Sequence, residues 1–190
     1  MLAAALTGLV GTAGGVAHAT AEQPDNDLIA PVTVNEGAPT QYSFAEQLPD
    51  PENPNESLTY EYVVTEGLVR DPGSETATRR CWIANTQIET TSLRLTQHIW
   101  EHEVHWCFNG GRAAGAHVNN GNNLYTGTFW HWRGAGANQH NYNRGSFMDV
   151  RKQGHHEWCA PKTGCAQNQW PLHEGHYYNG YYVTTILRKK

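Results

Sequence analysis

The sequence predicts an all-β protein, an antiparallel β-sandwich or barrel-like module held by disulfides and preceded by an acidic arm. Three observations carry this expectation. From Gln97, the stretch Leu93 to Gly111 (LRLTQHIWEHEVHWCFNGG) alternates strictly. His98, Trp100, His102, Val104 and Trp106 fall on one side and Ile99, Glu101, Glu103, His105 and Cys107 on the other, as successive residues of a strand do. The gaps between apolar runs are rich in Asn and Gly, as in Val118-Asn119-Asn120-Gly121-Asn122-Asn123 and Gly134-Ala135-Gly136-Ala137-Asn138, residues that tolerate left-handed backbone and make turns. No segment combines a helical period with caps.

In chain order, residues 1–19 (MLAAALTGLVGTAGGVAHA) are small, apolar and uncharged, and end in the small-x-small triplet Ala17-His18-Ala19. This reads as a signal peptide-like segment that directs export. It is too short and too Gly-broken to span a bilayer, and nothing after it has a membrane-spanning run. Residues 20–78 read as an acidic, Pro-containing arm. Between 21 and 78 stand twelve acidic residues and one basic one, Arg70. Residues 79–190 hold six acidic and twelve basic residues, all seven Trp and ten of the eleven His, so the net charge of -5 hides an acidic front and a mildly basic back. Thr65 to Thr78, with Gly67 and Asp71-Pro72-Gly73-Ser74, reads as a linker. Residues 79–190 form the aromatic- and His-rich β module, with strands expected over Cys81 to Glu89, Leu93 to Phe108, Leu124 to Arg133, Ser146 to Lys152 and Tyr177 to Leu187. Leu93 to Gly111 is its central strand, closing in a hairpin on Asn109-Gly110-Gly111.

An exported chain with four cysteines, Cys81, Cys107, Cys159 and Cys165, is expected to form two disulfides, with three connectivities open. The turn-rich Ala-Pro-Lys-Thr-Gly between Cys159 and Cys165 favours pairing these two, which leaves Cys81 with Cys107. A tight hairpin about Thr90-Thr91, however, sets Cys81 opposite Trp100, so the second bridge needs some other route.

Two resemblances follow from the motifs. Val32-Thr33-Val34-Asn35-Glu36-Gly37, Tyr42-Ser43-Phe44 and Asp50-Pro51-Glu52 followed by Leu58-Thr59-Tyr60 resemble the opening of a bacterial Ig-like or cadherin-like repeat over about forty residues, half a sandwich. That resemblance implies a partial Ig-like segment, and makes Asp50, Glu52 and Glu56 candidate Ca ligands. In the module, Trp106-Cys107-Phe108-Asn109-Gly110, Phe129-Trp130-His131-Trp132-Arg133-Gly134, Arg144-Gly145-Ser146-Phe147 and the late Gly164-Cys165 resemble small secreted proteins of actinobacteria. Those have a Trp-Cys turn, an aromatic strand ending in Gly and an Arg-Gly-x-Phe strand. The resemblance implies a secreted β-rich protein and brings no activity with it.

Function is read from ring and imidazole chemistry. Trp130 and Trp132 share a strand face, and Tyr177, Tyr178, Tyr181 and Tyr182 crowd another; rings on a sheet offer apolar faces to sugar C–H groups while Asn122, Arg133 and neighbouring asparagines (Asn119, Asn120, Asn123, Asn138, Asn141) take hydroxyls. The expected function is therefore a secreted, non-catalytic module that binds glycan or cell-envelope material through Trp130, Trp132, Tyr177, Tyr178, Tyr181, Asn122 and Arg133. Core packing of Trp100, Trp106, Trp130 and Trp132 is the competing use of these rings. A second reading is a metal-dependent hydrolase or toxin, with His98 and His102 on one strand face and His131 from a neighbouring strand holding Zn or Cu, and Glu101 beside them. His102 and His105, three apart on a strand, point to opposite faces and cannot copy the helical H-E-x-x-H pair. His155-His156 and His173-Glu174-Gly175-His176 are expected near one rim. A third reading is self-assembly through strand edges. With no basic stripe and an acidic chain, nucleic acid is not an expected partner.

Overall fold

The computed structural model describes residues 30–119, 121–141, 145–162 and 164–188, with side chains except those of 137–141, 187 and 188. The signal-like segment 1–19, Asn120 and the side chains of Asn138 and Asn141 lie outside the described residues.

Strict alternation and frequent turns yield strands throughout: β1 (Val32–Asn35), β2 (Thr40–Pro49), β3 (Ser57–Arg70), β4 (Arg79–Ser92), β5 (Leu95–Asn109), β6 (Arg112–Val118), β7 (Asn122–Thr126), β8 (Trp130–Asn141), β9 (Met148–Ala160), β10 (Gly164–Gln169), β11 (Pro171–Tyr177) and β12 (Tyr181–Arg188). They pair into two antiparallel six-stranded sheets. One runs β1-β12-β11-β9-β10 with β8 on the other side of β9; the second runs β2-β3-β4-β5-β6 with β7 also on β5. This is an all-β sandwich, with β5 central in its sheet. β5 pairs with β4 along its whole length on one side and successively with β7 and β6 on the other. β9 does the same in the facing sheet, with β8 on one side and β11 then β10 on the other. Among the described residues no helix is long and apolar enough to cross a membrane.

The described part of the expected arm, residues 30–78, contributes strands to both sheets. β1 lies on β12, and β3 pairs residue by residue with β4 from Tyr60↔Ser92 to Arg70↔Trp82, across the expected boundary at Thr78. The reason is the alternation along β3: Tyr60, Tyr62, Val64 and Leu68 are buried while Glu61 is exposed. Composition averages the two faces and reads as acidic; the inward face alone reads as core.

Three other differences concern turns. The β4–β5 hairpin turns on Leu93 and Arg94, both with positive φ (51° and 63°), as a two-residue primed turn requires. With a bulge at Thr90/Thr91, that register sets Cys81 opposite Cys107 rather than Trp100, and the Cys81–Cys107 disulfide forms directly across the pair. Cys159–Cys165 likewise bridges opposed residues of β9 and β10. The expected strand Leu124 to Arg133 is two strands in different sheets, separated by Gly127 to Phe129, with Phe129 at φ 71°. Tyr177 to Leu187 is a hairpin, its turn at Asn179-Gly180 closed by Tyr178 N–H donating to the Tyr181 carbonyl (2.8 Å).

The sheets enclose two apolar clusters. One contains Leu68, Trp82, Val104, Trp106, Met148, Val150, Tyr177 and Tyr182; the other Tyr60, Tyr62, Val64, Ile88, Trp100, Trp130, Trp158 and Ile186. Where the long strands pass from one cluster to the other, each carries a buried polar residue: Glu66, Thr86, His102, Lys152, Thr184. Close packing of the second cluster depends on Gly154, where an added Cβ would lie 2.8 Å from the Trp100 indole Cε2. Gly154→Ala is expected to lower stability by about 1–3 kcal/mol, measured as a shift in the urea midpoint. An unchanged midpoint would mean that Trp100 moves aside without cost.

Candidate functional site

The histidines singled out in the sequence converge on the interior rather than on a rim. His98 and His102 both face inward, at 0% and 1% exposure, whereas His131 is exposed on the outer side of β8, between inward Trp130 and Trp132. The three are not brought together as a metal set. Their partners come from the facing sheet: His98 stacks on His156 (centroids 3.7 Å, 9°) with its Nε2 on Gln169 Oε1 (2.7 Å), and His102 Nε2 meets His173 Nδ1 at 3.0 Å. His155 and His176 point to the opposite sides of their strands, His155 against Trp170 and His176 against Asp149. Alternation thus splits the expected histidine rim between core and surface.

Glu66 anchors the polar layer. Its Oε1 accepts from Tyr42 Oη (2.9 Å) and His173 Nε2 (3.0 Å), with Thr184 Oγ1 at 3.3 Å, and its Oε2 accepts from Thr86 Oγ1 (2.6 Å) and Tyr182 Oη (2.7 Å). Burial opposes ionisation of this carboxyl, but the attraction of His173 and the hydrogen bonds from His173, Thr86 and Tyr182 outweigh it and hold Glu66 below its ordinary range. Because a carboxylate only accepts, His173 Nε2 carries hydrogen and donates to Glu66, while its Nδ1 meets His102 Nε2. Burial drives His102 well below its usual range and lowers Lys152, which is fully buried beside it; His102 Nδ1 and Lys152 Nζ have no hydrogen-bond partner among the described residues. The cross-sheet chain Glu66, His173, His102 has the parts of an acid–base relay but is closed to solvent, so in this conformation it touches no substrate. Its evident work is to fix how the two sheets face each other.

The rings expected to bind glycan divide in the same way. Trp130 (4% exposed) and Tyr177 (0%) are core, and Trp132 is half-buried, parallel to Trp100 and against His156. Tyr178 is stacked between Phe147 (5.3 Å) and Tyr181 (4.7 Å), so both its faces are covered. Arg133 is paired with Glu157 at 2.6 Å, and exposed Asn122 reaches Glu101 at 3.4 Å. Asp50 accepts from the Glu52 N–H within the β2–β3 turn (2.8 Å), and its carboxylate does not converge with those of Glu52 and Glu56. Glu157 comes close to the sulfurs of Cys159 and Cys165, but these are bonded to each other and are not thiolates.

An open groove of about 720 Å³ that the sequence did not flag lies at the β4–β5 turn, lined by Arg94, Leu95, Thr96, Gln97, Ile99, Tyr125, Gly127 and Thr128. β7 lies beside the start of β5, with Tyr125 opposite Ile99. Tyr125 is 45% and Leu95 65% exposed. The floor is fixed from below: Gln97 accepts from buried Trp130 Nε1 (2.9 Å) and donates to the Leu95 carbonyl (3.0 Å), while Thr96 donates to Glu89 (2.8 Å). The Arg94 guanidinium forms no hydrogen bond or ion pair among the described residues and remains available. The sequence signal for this site is weak, since it combines a turn without Gly or Asn with a five-residue strand. No family model, curated protein or solved structure matches the chain.

Proposed function

We propose that this chain is a secreted, non-catalytic module that binds glycan or cell-envelope material, and that its contact surface is the Arg94–Tyr125 groove. The observation that carries the reading is the composition of that groove. An exposed Tyr ring and aliphatic Leu95 and Ile99 can lie against sugar C–H faces, beside the Arg94 guanidinium, which has no partner among the described residues, and the Thr128 hydroxyl for oxygen atoms. Two disulfides accord with an oxidising, extracellular compartment, as does the apolar stretch ending in Ala17-His18-Ala19.

Depletion of the purified chain by insoluble polysaccharides and isolated cell walls tests this. The wild type is expected in the pellet, and Tyr125→Ala or Arg94→Ala to weaken retention roughly tenfold, the equivalent of about 1.4 kcal/mol, with unchanged circular dichroism. Equal partitioning of wild type and Tyr125→Ala, or no retention by any wall fraction, would overturn the proposal. Leu93 (75% exposed) and Leu95 beside the groove favour one other reading, self-assembly between copies. Oligomers that grow with concentration and disperse in Leu95→Asp would replace glycan with that occupant.

A further inference from the structure

We propose that His105 and His117 form a surface site for a divalent transition metal, copper(II) above zinc, with Glu103 as the residue that orients the first imidazole. The two histidines are direct Cα partners across β5 and β6, and their ring centroids lie 6.3 Å apart at 64°. Metal–nitrogen bonds of roughly 2.0–2.1 Å place two imidazoles of one tetrahedral centre with centroids about 5 Å apart, so a movement of about 1 Å by the exposed His117 ring closes the site. His105 is already oriented. Its Nε2 lies 2.5 Å from Glu103 Oε1, and because the carboxylate only accepts, that nitrogen carries the hydrogen and Nδ1 keeps the lone pair a metal needs. A carboxylate behind a ligating histidine is the arrangement that fixes tautomer and raises basicity in metal sites.

Both histidines also line a cavity of about 330 Å³ with Arg79 and Asp71; the Asp71 carboxylate does not converge with the two imidazoles, so His105 and His117 are the protein's ligands and water completes the shell. The Cys81–Cys107 disulfide lines it too, and its bonded sulfurs offer no thiolate. Arg79 places Nη2 on Cys107 Sγ (2.9 Å). Two imidazoles, without thiolate, suit copper(II) first and zinc next in the order of divalent affinities.

The test uses the full chain freed of metal by chelation and desalting, titrated with copper(II) and with zinc by calorimetry, with stoichiometry from native mass spectrometry. One metal per chain is expected, with copper tighter and a copper EPR spectrum showing two nitrogen ligands. His117→Ala is expected to weaken binding at least tenfold and Glu103→Gln by about 10–100-fold, while His131→Ala on the other sheet leaves it unchanged. His117 is exposed, so its variant keeps the fold if His105→Ala does not. No stoichiometric binding at about 100 µM metal, corresponding to a binding energy weaker than about 5.5 kcal/mol, or binding unaltered in His117→Ala, would overturn the assignment.

Discussion

Glu66→Ala is expected to cost about 3–5 kcal/mol, the penalty for breaking a buried charge pair and stranding its partners. Set against a total of about 5–15 kcal/mol for a domain, this leaves the variant partly unfolded or close to it at 37 °C. The substitution removes the acceptor for hydroxyls of Tyr42, Thr86 and Tyr182 and for the His173 ring at once, all in the interior. Tyr182 and Tyr42, whose burial beside Glu66 drives their pKa far above the usual phenol value, cannot relieve the loss by ionising. Glu66→Gln keeps the volume and one acceptor oxygen and turns an amide toward hydroxyls that can rotate, so about 1–3 kcal/mol is expected. Urea denaturation followed by tryptophan fluorescence distinguishes the two. An alanine variant with a midpoint indistinguishable from wild type would mean that the layer is filled by water at no cost and does not hold the sheets in register.

The position of Glu66 was legible in the alternation and was hidden by composition. Tyr60, Tyr62, Val64, Glu66 and Leu68 are one phase of a strand, so a carboxylate on that phase had to be buried and paired; counted among twelve acids, it read as part of a solvated arm. The same contrast runs through the rest of the fold. β5 as a central strand, the Asn109-Gly110-Gly111 turn and the Cys159–Cys165 pair follow from period and spacing, whereas Cys81–Cys107 follows only as the remainder, because a turn about Thr90-Thr91 sets Cys81 opposite Trp100. The Leu93–Arg94 turn does not, because two residues without special backbone preference adopt positive φ there, held by the strands on either side. Nor could the sequence say which faces of β8 and β11 are covered. Trp130, Tyr177 and Tyr178 are equally amphipathic, and only the position of the facing sheet makes two of them core. The groove at Tyr125 draws on β5, β7 and the β4–β5 turn, and becomes a site only when register brings Tyr125 opposite Ile99.

Acid is expected to unfold the protein between about pH 5.5 and pH 4, through the His98–His156 stack. Both rings are fully buried. His98 is flanked by Trp130 and held at Nε2 by Gln169, and among the described residues no carboxylate hydrogen-bonds either ring. Burial pushes His98 down to about 4, partly offset by the Gln169 hydrogen bond, and pushes His156 down to about 2, helped by His98 and His155 close by. In the unfolded chain each titrates near 6.5, so as pH falls through 6.5 the unfolded state binds protons that the native state refuses, and stability falls with pH. By pH 4 this amounts to about 3 kcal/mol for each ring. Below the ordinary carboxylate range the loss of Glu66's charge acts in the same direction, since its native pKa is also depressed. These two rings and His102, which burial also holds well below its usual range, together approach the whole stability of a domain, and between pH 6 and 4.5 the unfolding free energy should fall by about 4 kcal/mol per pH unit, the slope for uptake of three protons. His156→Phe keeps an aromatic ring on His98 and removes one of the three protons, so its slope should fall by about a third and its acid midpoint move lower. Urea midpoints that do not change from pH 7 to pH 5 would show that the stack is solvated in solution, and would remove the argument that these histidines are buried as neutral packing rings.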